Sequence, residues 1–240
     1  MNRSERTFEN FYSDDSNDFL KALRKLDNKE IAQKLSPMIF SGETGMGKTH
    51  LLNALENRLK SLYPEFQTMY VTGETFLDNY LSALKENKID EFKNKYSNLD
   101  AIFIDDFNFF ANKESAQEQL FYRLTQLEEN GCIIAISWYK KKDETLTPNG
   151  FIDRLWSFVS SGLNLELTSP NNDTKKKKII SFFLEETNSV PAEAVIKYIS
   201  TDIYSMRDLE SKLNKIVCYR KLIGAENSEL AINEIKGDKK

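Results

Sequence analysis

The run Gly42-Glu43-Thr44-Gly45-Met46-Gly47-Lys48-Thr49 fits the pattern G-x-x-x-x-G-K-[ST]. Glycines let a backbone curl so that several N–H groups point at one anion. A helix starting near Lys48 adds its positive end. Lys48 can then reach the β- and γ-phosphates of a nucleotide, and the Thr49 hydroxyl can hold Mg2+. A second group with chemical potential is Ala101-Ile102-Phe103-Ile104-Asp105-Asp106. An apolar run ending in carboxylates suits a central parallel strand buried on both faces. Ligands of open α/β sheets sit at the carboxyl ends of such strands. There Asp105 can anchor a Mg2+ that bridges the phosphates, and Asp106 can orient or activate a water. Either motif alone has a plainer reading, a glycine-rich turn or a strand that happens to end in aspartates. Together they point to ATP or ADP bound with Mg2+.

The elements that must position these groups follow from periodicity. Residues 37–41 read as a short buried strand feeding the loop, and Leu51, Leu52, Leu55, Leu59 and Leu62 recur at helical spacing behind it. Residues 67–71 read as a second strand, broken by Thr72-Gly73. A helical region over 74–96 is interrupted at Glu86-Asn87-Lys88, and residues 115–129 form another helix, ended by Gly131. The apolar run 132–136 is a further buried strand ending in Ser137-Trp138, where Ser137 is placed to sense a γ-phosphate. Residues 151–158 carry Arg154 on a short helix, and the alternation over 163–167 predicts a half-exposed edge strand. Ser169 to Asp173 reads as a linker into an all-helical remainder. There Asp173 or Thr174 caps the first helix, Pro191 opens the second, and Met206 to Ile223 forms the third, with Arg207 at its start. Ahead of the loop, residues 19–35 read as one helix with Leu20, Leu23, Leu26 and Ile31 on one face. The domain reading is 1–168 for an α/β nucleotide-binding portion, 169–225 for a helical lid and 226–240 for a polar tail.

The chain has 240 residues, 29% of them charged, with a net charge of -4. That balance is not the global signature of a nucleic-acid binder. Lys140 to Lys142 and Lys175 to Lys178 leave a weak local DNA contact open, against the simpler reading of solvated lysines. Cys132 and Cys218 lie far apart in apolar runs and read as buried, reduced thiols, which predicts a cytoplasmic setting. No stretch is apolar enough for a membrane span. His50 is the single histidine, and it receives no metal or acid–base role. The aromatics of residues 1–20 have two readings, an arm packed on the main domain or, for Phe11 and Tyr12 with Asn17, an approach to a bound base.

The sequence resembles the AAA+ ATPase module of DnaA, the bacterial replication-initiator family. The resemblance is carried by Thr7-Phe8-Glu9-Asn10-Phe11, by Gly42 to Leu52, by Phe92-Lys93 with Tyr96, by Ile104-Asp105-Asp106 with Phe109 to Glu114, and by Arg207 to Glu210 with Leu213-Asn214. It implies an α/β fold of the phosphate-loop AAA+ type, a five-stranded parallel sheet followed by a small helical lid. It also implies an adenine pocket near Phe11, Tyr12 and Asn17, contacts to the nucleotide from the phosphate loop through His50, and a lid arginine, Arg207, on the phosphates. The family's acidic residue after the serine that ends the fourth strand falls on Trp138 here, its arginine finger falls on Phe158 although Arg154 persists, and arginines of close relatives fall on Ser97 and Ser115. The resemblance therefore implies a DnaA-like or Hda-like nucleotide-binding protein that acts in, or regulates, replication initiation through DnaA or another replication protein, with weak or no hydrolysis. An active ATPase that self-associates on origin DNA is the alternative. Within these residues no helix-turn-helix segment follows the lid.

Overall fold

The computed structural model describes residues 3–12, 18–141, 149–169, 171–201 and 203–223. Two compact units result, the first from Met1–Phe11, Asp18–Glu43 and Lys48–Leu167, the second from Tyr12–Asn17, Thr44–Gly47 and Thr168–Lys240.

The first unit is a five-stranded parallel sheet in the order β2-β3-β4-β1-β5, with β1 Met38–Gly42, β2 Thr68–Thr72, β3 Ala101–Asp105, β4 Ile133–Tyr139 and β5 Leu163–Leu167. Each crossover is helical, as parallel pairing requires. β1 and β3 are buried at every residue and β4 at all but its last. That is why they read as unbroken apolar runs rather than alternating ones. β5 alternates because it is an edge. Side chains at period 2 divide the sheet into two faces. Ile39, Ile102, Ile104, Ile134, Ile136 and Trp138 share one apolar cluster with Phe76, Phe110, Leu120 and Leu155. Those partners come from α4 Gly73–Lys85, a 3-10 turn at Phe107–Phe110, α6 Glu114–Glu129 and α7 Asp153–Ser160. Phe103, Asp105, Ser137 and Tyr139 point the opposite way, toward α3 Lys48–Leu62. α3 is buried along much of its length, including the polar Asn53 and Glu56.

Ahead of the sheet, the single helix expected over 19–35 is two short ones, α1 Asp18–Arg24 and α2 Lys29–Lys34. Asn28 breaks the run by accepting from the Glu30 and Ile31 amides as an N-cap. The break rotates Ile31 out of the shared face, leaving it half exposed, while Leu20, Leu23 and Leu26 are buried. α4 is followed by α5 Ile89–Lys95 after the polar interruption, and on α4 Leu81 and Leu84 are exposed while Phe76, Leu77 and Tyr80 are buried.

The second unit contains α8 Asn172–Thr187, α9 Glu193–Ser200 and α10 Met206–Ile223 around an apolar cluster that includes Phe183, Ile199, Leu209 and Leu213. Asn171, not Asp173 or Thr174, caps α8 through the Thr174 amide. Pro191 precedes α9 instead of opening it. The lysines of α8 are not a bare basic face. Lys175 is buried with its Nζ donating to the Ile203 carbonyl, Lys176 pairs with Glu193, and Lys178 pairs with Glu210 at 2.6 Å. In the first unit, Lys140 is likewise buried against Glu166. Among the described residues no helix is long and apolar enough to cross a membrane.

Two outcomes follow from packing. A Cβ at Gly73 would stand 2.8 Å from the Asp106 carbonyl oxygen and 3.0 Å from the Phe109 Cβ. Gly73→Ala is expected to destabilise the fold by about 1–3 kcal/mol, read as a lower denaturant midpoint at unchanged slope. The sequence suggests two buried thiols, but only Cys132 is buried and Cys218 is exposed. Burial, helped by the Asp100 charge, pushes the Cys132 thiol up to about 12, so it stays protonated at neutral pH. Ellman's reagent at pH 8 is expected to titrate a single thiol in the native protein and both after denaturation.

Candidate functional site

The phosphate-loop residues follow directly from the end of β1. Gly42, Gly45 and Gly47 have φ values of 144°, 81° and 96°, a region that side-chain-bearing residues rarely occupy. The backbone can therefore turn its amides inward before α3 begins at Lys48. Lys48 is buried, and its Nζ donates to the Gly42 and Glu43 carbonyls at 2.8 and 2.7 Å. The ammonium is thus held over the loop that would receive an anion. Thr49 lies in the first turn of α3, and its carbonyl accepts from the Asn53 side-chain amide at 2.5 Å. His50 donates through Nε2 to the Thr7 carbonyl at 2.8 Å and packs beside the Phe11 ring at 5.3 Å. That is a structural tie between α3 and the N-terminal segment.

Parallel register sets the carboxylates against β4. Ile104 pairs with Ile136, so the next residues, Asp105 and Ser137, lie side by side at the strand ends. Asp105 is 3% exposed. One of its oxygens accepts from the Ser137 hydroxyl and the other from the Tyr70 hydroxyl at 2.5 Å. Ser137 also accepts from the Asp106 amide at 2.8 Å. Asp106 is exposed and left-handed, with φ 53° and ψ 50°. Asp tolerates that conformation better than most residues. Burial and the Asp105 charge push the Tyr70 phenol far above its usual range, so it remains a donor.

The Ser137 hydroxyl, expected to sense a γ-phosphate, donates to Asp105 and accepts from the Asp106 amide in this structure. Trp138 points to the opposite face, 5% exposed, with the rings of Phe107, Phe151 and Trp156 at 5.0 to 6.0 Å. Arg154, the remaining local arginine, is engaged within its own chain: Nη2 meets Glu118 at 2.5 Å, and the guanidinium lies over the Phe121 and Tyr122 rings. Ser115 bonds to the Tyr80 hydroxyl. Tyr139, at the end of β4 beside Gly42, holds its ring 5.9 Å from Lys48 Nζ.

In the second unit the start of α10 meets the tip of the phosphate loop. Met206 N donates to the Gly45 carbonyl at 3.2 Å. A Cβ on Gly45 would stand 2.6 Å from Ser205 Oγ and 3.2 Å from the Arg207 Cβ, so glycine is needed there twice over, for conformation and for space. Ser205 and Asp208 cap the helix reciprocally. Arg207 is exposed in that first turn. Tyr12 also belongs to this unit, its hydroxyl donating to Ser181 at 2.7 Å with Lys178 Nζ 4.6 Å from its ring. Phe11 is buried in the first unit. Asn17 lies outside the described residues. Thr44 is exposed at the loop tip and Met46 is buried.

Sequence reasoning overlooked Tyr70, Asn53 and Arg3. For Tyr70 a signal exists: as the middle residue of a strand parallel to β3, it shares a face with Asp105. For Arg3 nothing in the spacing announces it.

Among the described residues no three His, Cys, Asp or Glu side chains converge on one point. None of the ion pairs of the described residues involves Asp105. A buried carboxylate whose donors are two hydroxyls and a backbone amide is short of positive charge. That fits Mg2+, which binds through one or two protein groups plus phosphate oxygens and water.

Comparison with known proteins agrees with this geometry. The family model for the bacterial DnaA ATPase domain matches residues 2–166. The chromosomal replication initiator protein DnaA of Borrelia turicatae is 32% identical over 232 residues, covering 95% of this chain and 47% of the relative. The chain thus spans about half the length of the curated relatives it matches. Domain III of the Thermotoga maritima replication initiation protein DnaA superposes with a TM-score of 0.84 at 30% identity, over 97% of this chain and 96% of that one. AMPPCP-bound DnaA from Aquifex aeolicus gives 0.79 at 25% identity, over 93% and 67%. A replication initiator DnaA bound to AMPPCP and single-stranded DNA gives 0.78 at 27% identity, over 97% and 69%. A glycine loop handing β1 to α3, an aspartate pair closing β3 and a match over most of the sequence have one common account: this chain belongs to the bacterial DnaA ATPase domain family.

Proposed function

We propose that this protein binds ATP or ADP with Mg2+ and acts in bacterial replication initiation by nucleotide-dependent contact with DnaA or another replication protein, with weak or no hydrolysis of its own. The observation that carries the binding half is Lys48 poised over the loop carbonyls at the N-terminus of α3, in the same unit as the buried, cation-poor Asp105. Gly42, Thr44, Gly45, Met46 and Gly47 would offer backbone amides to the phosphates, and Lys48 would exchange its carbonyl partners for the β- and γ-phosphates. Mg2+, when bound, screens the phosphate charge; Thr49 and Asp105 would hold it. His50 and Phe11 brace the N-terminal segment near the loop, and Phe11, Tyr12 and Asn17 are the base-side candidates. Arg207 would supply a guanidinium to the phosphates from the first turn of α10. That two of the solved relatives, both DnaA, are bound to AMPPCP supports this reading.

The weak-hydrolysis half rests on what surrounds Asp106. Asp106 would orient a water, but the residues that would complete a fast site are engaged in other contacts. Ser137 is tied to the aspartates, Trp138 is buried in aromatics, and Arg154 is bound to Glu118. An arginine supplied in trans is worth roughly 10³-fold or more in phosphoryl transfer. The opposite reading, an ATPase that self-associates on origin DNA, is favoured by its likeness to a DnaA bound to single-stranded DNA. The internal pairing of Lys140, Lys175 and Lys178 leaves less basic surface for such a strand than the sequence suggests.

Calorimetry with ATP and ADP in Mg2+ is expected to give micromolar or tighter binding. Lys48→Ala removes charge-assisted bonds worth about 1.5–3 kcal/mol and should weaken it by about 10- to 100-fold. Absence of nucleotide binding by the unaltered protein would end this reading. Single-turnover assays should show little phosphate release, and Asp106→Asn should abolish what there is while sparing ATP affinity. Fast turnover stimulated by origin DNA would instead establish the initiator-type alternative.

A further inference from the structure

The N-terminal 3-10 turn, Arg3–Glu5, delivers a side chain into the polar side of α3. Arg3 Nη2 meets Glu56 Oε2 at 2.6 Å, and its Nε donates to Asn53 Oδ1 at 2.8 Å. Its guanidinium carbon lies 3.7 Å from the centre of the Tyr70 ring. Glu56 is 3% exposed, and Lys60 and Thr68 satisfy its other oxygen. This is a bidentate-type seat that a flexible ammonium could not fill in the same way.

From that seat two short chains of contacts lead onward. Asn53, which accepts from Arg3, donates to the Thr49 carbonyl at 2.5 Å. Tyr70, which lies under Arg3, donates to Asp105 at 2.5 Å. The Asp105 carboxylate is thus held from behind by Tyr70, and the Thr49 backbone by Asn53, both of them in contact with Arg3. With the Ser137 hydroxyl on its other oxygen, the Asp105 carboxylate has its plane fixed. Without Tyr70 it could turn about its terminal torsion, which is broad for Asp.

We infer that Arg3 and Tyr70 are positioning residues that set the affinity of the nucleotide site for its divalent cation, so that the segment ahead of Thr7 belongs to the cation site. The inference rests on the nucleotide reading above. Groups behind a metal ligand typically change metal affinity by about 10–100-fold when removed. By linkage the coupling is reciprocal, so cation and nucleotide together should hold the N-terminal segment in place.

The test is calorimetric ATP binding across a Mg2+ series and in EDTA, for the unaltered protein, Tyr70→Phe, Arg3→Ala and Arg3→Lys. Tyr70→Phe keeps the ring and removes only the donor, so it carries the test even if an Arg3 variant fails to fold. Expected is an increase of about tenfold in the Mg2+ concentration for half-effect in Tyr70→Phe and Arg3→Ala, with ATP affinity in EDTA unchanged and Arg3→Lys only partly restored. Trypsin cleavage after Arg3 and Arg6 should slow when Mg2+ and ATP are both present. An unchanged Mg2+ requirement in Tyr70→Phe, or equal losses with and without Mg2+, overturns the inference while leaving nucleotide binding standing. No ATP binding by the unaltered protein overturns the functional reading and this inference with it.

Discussion

A buried carboxylate that no ion pair of the described residues reaches governs the first unit. Asp105 is 3% exposed and accepts from the Tyr70 and Ser137 hydroxyls and the Asp106 amide. Leaving such a group unpartnered costs several kcal/mol, so its neighbours must be donors with fixed positions. The parallel register meets that need. It sets Ser137 level with Asp105 and places Tyr70 on the same face one strand over. The order β2-β3-β4-β1-β5 interposes β4 between the aspartates and the loop strand, so Ser137 can serve the aspartates and Tyr139 can border Gly42.

The same strand explains how the site differs from what its resemblance implies. Successive residues of β4 must face opposite ways. Ser137 and Tyr139 look toward α3, and Trp138 looks into the aromatic layer with Phe107, Phe151 and Trp156. An acidic residue in that layer would be a buried charge, whereas an indole fills it. The substitution thus suits packing on the far face of the sheet. Arg154 sits on the neighbouring helix α7 and is likewise absorbed into aromatic and acidic contacts of α6.

Much of the architecture could be read in advance because its physics is local. Buried parallel strands show as apolar runs, and the alternation of Leu163 to Leu167 marks an edge. The phosphate loop and the aspartate pair are legible because their backbone and charge demands restrict residue type. Other features depend on partners distant in sequence. Asn28 divides what periodicity alone would join, and Lys175 is buried because the Ile203 carbonyl waits for it. Cys218 occupies an apolar run yet lies on the outer side of α10. Arg3 and Tyr70 are 67 positions apart and meet only through the fold. The strand period puts Tyr70 on the Asp105 face, but no spacing rule brings Arg3 to it.

The bare backbone where α4 begins has an implication for how such a chain can vary. Gly73 lies against the Asp106 carbonyl, so the junction between β2 and α4 is sterically locked to the end of β3. Insertions or deletions at that junction would displace the left-handed aspartate. Length changes between the two strands are better absorbed downstream, at the Glu86 to Lys88 break or past the end of α5, where the chain turns at the surface. The α4–α5 hairpin can accordingly be remodelled at its outer end while its root stays immutable.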